Sequence, residues 1–211
     1  MDPTGIARIG GTTAAVPQRV FLSHTSDLGK PDEKGSFVAA AVEAVLRARH
    51  AVTDMAYFGA RETSPAAVCE EMVAQSDVYV GIVGLRYGSA VRDRPDVSYT
   101  ELEFEAAGER CLPRLIFLVR DDSAHLPTAD ESLRRQRRQG KFRRRLLDSG
   151  LTVVRVGSPA ELELAVYQAL VELAPTPDAP ARLAAAQALL ASMPTGFLPP
   201  RAPLPAGSRS T

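Results

Sequence analysis

Three glutamates recur at every second position of one short segment. The stretch SYTELEFEAA (98–107) carries Glu101, Glu103 and Glu105. A strand would place all three on one solvated face, whereas a helix would scatter them, because a helical turn takes 3.6 residues. A helix that buries one of them would create a candidate for chemistry, since a carboxylate removed from water needs a partner or a functional reason.

Projection of this segment as a helix separates the three carboxylates. It lies between two apolar segments, 77–85 and 114–119, and this position favours a helix. The apolar side chains then spread over an arc centred at roughly 45° from Tyr99, and Glu103 falls at about 40°, inside that arc. Glu101 and Glu105 fall at roughly 200° and 240° and are predicted to face solvent together with Glu109. The sequence therefore predicts one buried carboxylate, Glu103.

Two interpretations of Glu103 remain open from the helix alone. It could form an ion pair with Arg86 or Arg110, or it could be a catalytic or ligand-orienting carboxylate near the start of its helix. Ser98 is a good N-cap, and the SYTE spacing is that of a capping box, which gives Glu101 a structural role. Glu103 has no such local explanation.

Strand and helix patterns alternate along the chain. The strand patterns are 19–25, 51–58, 77–85, 114–119 and 151–156, and the helical patterns are 36–50, 64–76, 98–111, 132–150 and 158–174. This alternation predicts an α/β fold, a flavodoxin-like doubly wound parallel five-stranded sheet with helices on both faces.

Ligands of such folds bind beyond the carboxyl ends of the strands, where the strand order switches direction. Three polar segments follow strands there: SHTSDLG (23–29), GLRYGS (84–89) and DDSAH (121–125). They are predicted to surround one crevice.

The chain is predicted to have four parts. Residues 1–17 form a flexible arm, 18–174 the α/β domain, 175–193 a C-terminal helix and 194–211 a Pro-rich linker or tail. The tail would lead, in a longer parent protein, to another domain.

Charge and composition exclude several classes of protein. Lys and Arg number 25, as do Asp and Glu, so no global field favours nucleic acid or a membrane. The chain lacks a signal-peptide pattern and an apolar run of membrane-spanning length, which predicts a cytoplasmic protein. Cys69 and Cys111 are predicted to be reduced thiols, and the three scattered histidines predict no metal site.

One segment is strongly basic. SLRRQRRQGKFRRRLLDSG (132–150) could contact nucleic acid or phosphate, but it contains a single aromatic residue, Phe142, and no known nucleic-acid motif. It is predicted to be a solvated helix face, so nucleic acid is not an expected partner.

Several blocks in order resemble a known family. RVFLSHTSDL, CEEMVAQSDVYVGIVGLRYGS, SYTELEFEAA and RLIFLV resemble the TIR-like family of unknown function that is found at the N-termini of large bacterial NTPase and repeat proteins. The resemblance covers residues 19–122 and extends towards 173. That family is related to TIR domains and, more distantly, to nucleoside 2-deoxyribosyltransferases.

The resemblance implies a TIR-like fold and a reaction. Many TIR domains cleave the nicotinamide–ribose bond of NAD with a helical glutamate, and Glu103 has the matching position, with Glu101 as second choice. NAD is then substrate, and no cofactor is implied. A carboxylate near the ribose would stabilise an oxocarbenium-like transition state. The Trp-Cys pair that precedes the glutamate in TIR enzymes is missing here.

The same resemblance suggests substrate-binding residues. Ser23, His24 and Thr25 could contact ribose or phosphate, Arg86 could hold a phosphate and Tyr87 could stack on a ring, with Ser98 also near the site. Each has a structural alternative: Ser23 and Thr25 as turn residues, Ser98 as helix cap, Arg86 as partner of Glu103, Tyr87 as packing.

Three functions follow as hypotheses. The first is an NAD glycohydrolase, acting on NAD or a related nucleotide as the effector of a bacterial defence or signalling protein. The second is a non-enzymatic module that self-associates and signals to attached domains. The third is a nucleoside transferase or nucleotide sensor. The expected partners are NAD or a related nucleotide, and either further copies of the chain or other domains of a parent protein.

Overall fold

The computed structural model describes residues 16–53, 64–126, 131–173 and Gln187. The chain divides into two compact units, residues 1–176 and 177–211. The second unit is described only at Gln187, which is helical. Most of the predicted arm, the end of the second strand pattern and nearly all of 175–211 therefore lie outside the described residues.

The elements follow one another in the predicted order, with one addition. They are β1 (Arg19–His24), a 3-10 turn (Ser26–Leu28), α1 (Phe37–Arg47), β2 (Ala51–Thr53), α2 (Pro65–Ala74), β3 (Val78–Val83), β4 (Ala90–Val91), β5 (Arg94–Ser98), α3 (Tyr99–Glu109), β6 (Arg114–Val119), α4 (Leu133–Leu147), β7 (Val153–Val156) and α5 (Pro159–Glu172). The addition is the antiparallel pair β4–β5, in a segment predicted to be a loop.

The main sheet confirms the predicted fold class. Its five described strands are parallel and lie in the order β2-β1-β3-β6-β7. This is the doubly wound, flavodoxin-like order, and its direction switches between β1 and β3.

Apolar side chains cover both faces of the sheet. All six residues of β3 are buried, as its continuous apolar run requires. Alternate residues of β1 point to opposite sides, so that Leu22 packs in a cluster with α1 and α5 while Phe21 packs in a cluster with α2, α3 and α4. No described helix has the length and apolarity to cross a membrane.

Helix starts agree with the polar residues in the sequence. Ser36 accepts a hydrogen bond from the Ala39 amide at 3.0 Å, and Ser64 accepts one from the Ala67 amide at 3.3 Å. Ser98 forms the predicted capping box with Glu101 at the start of α3. This cap places the second turn of α3 over the end of β1.

Candidate functional site

Glu103 points into the protein, as predicted. It lies in the second turn of α3 and is 6% exposed. Ser23, near the end of β1, is 1% exposed and donates its hydroxyl to Glu103 Oε2 at 2.5 Å. A short hydrogen bond between two buried groups fixes the orientation of the carboxyl group.

Two further side chains join this pair, and the sequence reasoning missed both. Cys69 of α2 is hydrogen-bonded to Glu103; burial raises the pKa of the thiol, and the charge of Glu103 and that hydrogen bond raise it further. Tyr79 of β3 is hydrogen-bonded to Ser23; burial and then the charge of Glu103 raise the pKa of its phenol. We call Ser23, Cys69, Tyr79 and Glu103 the Glu103 cluster.

A signal for Tyr79 exists in the sequence. Its hydroxyl is the one polar side-chain group inside the apolar run of β3, and a buried phenol requires a hydrogen-bond partner. Cys69 carries no comparable signal, because a cysteine at an inward helical position is more often plain packing.

Glu101 is not in solvent, and that prediction was wrong. Its side chain is 14% exposed, accepts a hydrogen bond from the Tyr87 hydroxyl at 2.5 Å and pairs with Arg145 of α4 at 3.4 Å. The projection failed because α4 and the β4–β5 pair cover a second side of α3. Glu105 is 42% exposed and also pairs with Arg145, at 3.0 Å.

Tyr87 and Ser98 belong to this second carboxylate. Tyr87 is 2% exposed, and its hydroxyl lies 2.8 Å from the Asp96 carbonyl and 2.5 Å from Glu101 Oε2, so its single proton is donated to one of the two at a time. Burial, then the hydrogen bond to Glu101 and its charge, raise the pKa of Tyr87 to about 12. The Ser98 hydroxyl accepts from the Glu101 amide at 3.3 Å. Tyr87 thus packs in the interior and Ser98 caps α3, which are the structural alternatives given for them above.

The three predicted segments do border one cavity. It has a volume of about 490 Å³ and is lined by Asp27, Leu28 and Gly29 after β1, by Arg86 after β3 and by His125 after β6, with further residues from the start of α1. Glu103 is not among its lining residues. One site was expected, but the structure has two. They are the buried Glu103 cluster at the end of β1 and this open crevice.

Asp27 organises the crevice, and the sequence reasoning did not single it out. It is 8% exposed, and its Oδ2 accepts from the Leu85 and Arg86 amides at 2.8 and 3.2 Å. Its Oδ1 and the Nε of Arg86 are buried without a hydrogen-bond partner among the described residues. An acceptor and a donor beside one cavity are what a polar ligand would satisfy.

Thr25 and His24 lie in sequence between Ser23 of the Glu103 cluster and Asp27 of the crevice. Thr25 is 1% exposed and accepts from the Gly84 amide at 3.1 Å, which joins the end of β1 to the end of β3. His24 is half-buried, with Nδ1 3.4 Å from the Thr25 carbonyl. Arg110 lies at the end of α3, where it is exposed.

Metal ligands do not cluster in the described parts of the chain. Residues 16–53, 64–126 and 131–173 contain no group of three or more His, Cys, Asp or Glu side chains that could hold an ion.

The strand order and the crevice at the β1–β3 switch define the class of the protein: a flavodoxin-like α/β domain with a buried carboxylate beside the ligand edge of its sheet. Within this class, the family model DUF4062, a domain of unknown function, matches residues 19–171, and the chain belongs to that family. The predicted membership in a family of unknown function is thereby confirmed.

Comparisons with individual proteins are more distant. No curated protein matches. The flavodiiron core of Flv1 from Synechocystis sp. PCC6803, described as metal-soaked, is 15% identical with a TM-score of 0.41, over 74% of this chain and 36% of that one. The TIR domains of the activated Roq1 resistosome, which directly recognises the pathogen effector XopQ, are 12% identical with a TM-score of 0.37, over 82% of this chain and 99% of that one. The chain spans about a third of the Flv1 chain, and the fold assignment rests on the strand order itself.

Proposed function

We propose that this domain cleaves the N-glycosidic bond of NAD or a related nucleotide, with Glu103 as the catalytic residue. The observation that supports this most is the hydrogen bond from Ser23 to Glu103, which orients a buried carboxylate at the β1–β3 end of the sheet. The resemblance to TIR domains adds support, because Glu103 has the spacing to the next strand that the catalytic glutamate has in TIR enzymes. In this proposal the domain is the effector of a bacterial defence or signalling protein.

The reaction needs little from the protein beyond a placed negative charge. The bond between ribose and nicotinamide breaks, nicotinamide leaves with the electron pair, and water adds to the ribose carbon with release of a proton. Positive charge develops on the ribose meanwhile, and a carboxylate fixed in a low-dielectric site stabilises it strongly. Ser23 acts as a positioning residue, because it holds one carboxylate oxygen and does not itself need to contact the substrate.

The proposal requires that the substrate reach a buried side chain. Glu103 is 6% exposed, so the ribose reaches it only after a local opening between the end of β1 and α3. Assembly of several copies would be one way to hold that opening, and the assay must therefore include high protein concentrations.

The test is nicotinamide release from NAD, followed by chromatography. Wild type is compared with Glu103→Gln, and Glu105→Gln is the matched control, because it makes the same change on the same helix at a half-exposed position. Loss of release by about 100-fold or more in Glu103→Gln alone is expected. Equal rates in wild type and Glu103→Gln would refute the assignment of Glu103.

A nucleotide sensor or nucleoside transferase is the second candidate, and the crevice supports it. A cavity of about 490 Å³ with unsatisfied Asp27 and Arg86 atoms suits a nucleotide, and Glu103 does not line it. In this alternative Arg86→Ala abolishes binding of NAD or AMP in calorimetry, while Glu103→Gln leaves binding unchanged and no nicotinamide is released. Absence of both binding and release would favour the self-association module.

A further inference from the structure

A second cavity, which Glu103 does not line, is surrounded mainly by positively charged side chains. It has a volume of about 830 Å³ and lies between α4, the end of β6 and the edge strand β7. We call it the α4 groove. Its charged lining consists of two carboxylates, Asp121 and Asp122, and six cations: Arg120, Arg137, Lys141, Arg143, Arg144 and Arg155. The groove thus carries a net charge of +4 on a chain whose total charge is zero.

Both acidic groups already have partners inside the groove. Asp121 pairs with Arg143 at 2.8 Å, and Asp122 pairs with Arg120 at 3.5 Å. Arg143 is largely buried and also donates to the Val119 and Gly84 carbonyls. Arg120 and Arg143 are therefore already paired with carboxylates of the protein itself.

The other four cations have no acidic partner among the described residues: Arg137, Lys141, Arg144 and Arg155, all exposed. The first three are spaced i, i+4 and i+7, which puts them on one face of α4. Arg155 approaches from β7, and its charge helps to lower the pKa of Arg143, after the larger effect of burial. Cations from two walls thus converge on one cavity.

Other arginines of α4, which do not line the groove, are paired. Arg134 pairs with Asp96, Arg135 with Glu131, and Arg145 with Glu101 and Glu105. Exposed arginines of α4 outside the groove are thus paired with carboxylates, whereas Arg137, Lys141 and Arg144 have no acidic partner among the described residues.

One wall of the groove contains a glycine. Gly140 lies within α4 on the groove, and a Cβ at that position would meet no atom within 4 Å. A larger side chain at this position can therefore occupy groove space without a clash, which gives a test of the groove that leaves its charge unchanged.

We propose that the α4 groove binds a compact polyphosphate, a ligand with two or three adjacent phosphate groups. Guanidinium groups bind phosphate oxygens in a bidentate manner, and four of the groove's cations have no carboxylate partner among the described residues. None of the described lining residues is aromatic, so the groove offers no stacking surface for a base. Arg155 of β7 lies across the cavity from the three cations of α4, and cations on two walls of one cavity favour a compact ligand over an extended nucleic-acid backbone. This site is independent of Glu103.

The experiment is calorimetric titration of the whole chain with inorganic tripolyphosphate. The groove variant Arg137→Ala/Arg144→Ala should weaken binding by about tenfold or more. The control variant Arg134→Ala/Arg135→Ala removes the same charge from positions of α4 that do not line the groove, and it should bind as wild type does. Gly140→Leu fills the groove without a change in charge, and it should weaken binding as well.

The source of the phosphates is tested with the same variants. ATP should compete with tripolyphosphate, whereas a short DNA duplex should bind no more tightly than orthophosphate. Equal losses in the groove and control variants, full binding by Gly140→Leu, binding of the duplex alone, or no binding of tripolyphosphate by wild type would each overturn the proposal.

Discussion

Replacement of Ser23 by alanine tests the central contact of the candidate site without reference to any activity. The Ser23 hydroxyl is buried, donates to Glu103 Oε2 and is hydrogen-bonded to Tyr79. Its removal leaves no sizeable cavity, so the cost comes almost entirely from hydrogen bonding. A hydrogen bond to a charged group contributes about 1.5–3 kcal/mol, whereas a neutral one contributes about 0.5–1.5 kcal/mol.

The structure offers a matched control for this substitution. Ser76 is also 1% exposed, but its hydroxyl donates to a backbone carbonyl, that of Met72, at 2.9 Å. Ser76→Ala therefore deletes the same atom from an equally buried, neutral hydrogen bond. Ser23→Ala should lower the free energy of unfolding by about 1 kcal/mol more than Ser76→Ala does.

Urea denaturation at neutral pH measures both variants, and a double-mutant cycle isolates the pair. Ser23→Ala combined with Glu103→Gln should show a coupling energy of about 1 kcal/mol or more, and Ser76→Ala with Glu103→Gln should show none. The thermal midpoint of Ser23→Ala should fall by about 3–12 °C, given about 2–4 °C per kcal/mol for a domain of this size. A Ser23–Glu103 coupling within about 0.5 kcal/mol of zero would refute the reasoning.

Three further predictions concern single positions. Gly84→Ala should destabilise the domain by about 1–3 kcal/mol in urea denaturation, because a Cβ there collides with the Asp27 carboxylate; an unchanged midpoint would contradict this. Exposed Cys111 should react rapidly with Ellman's reagent in the native protein, and Cys69 only after denaturation, since burial raises the pKa of its thiol; two fast thiols would count against the packing of α2. The pKa of Tyr87 is raised to about 12 from 10.0, so its contribution to stability is complete below pH 10 and is lost as the pH rises to about 12. Tyr87→Phe should remove that part of the stability profile, and an identical alkaline profile would contradict the assignment.

The sheet order could be predicted because burial leaves a direct trace in the sequence. A strand covered on both faces, such as β3, is a continuous apolar run, and serines before helices, such as Ser36 and Ser64, mark where helices begin. The β4–β5 pair could not be predicted in this way. β4 has two residues, too few for any periodicity, and β5 contains a proline.

The candidate site, like the fold, could be predicted only in part. Helical periodicity alone identified Glu103 as an inward carboxylate, because periodicity reports which face of one helix is apolar. It could not report that α4 would cover a second side and bury Glu101, nor that Cys69 would reach Glu103 from α2. Such contacts join residues far apart in sequence, and only the three-dimensional arrangement of the helices determines them.

The end of β1 connects the Glu103 cluster with the crevice, the two sites where a ligand could act. Alternate residues there serve different partners: Ser23 holds Glu103, Thr25 holds the Gly84 amide, and Asp27 holds the amides of Leu85 and Arg86. A ligand in the crevice, which Asp27 and Arg86 line, would therefore act on the backbone that also carries Ser23. The enzyme and sensor hypotheses thus depend on the same five residues of chain. They differ in whether movement of that segment brings Glu103 into contact with the ligand. Nicotinamide release by wild type that is lost in Glu103→Gln supports the enzyme, whereas NAD binding that is lost only in Arg86→Ala, with no release by wild type, supports the sensor.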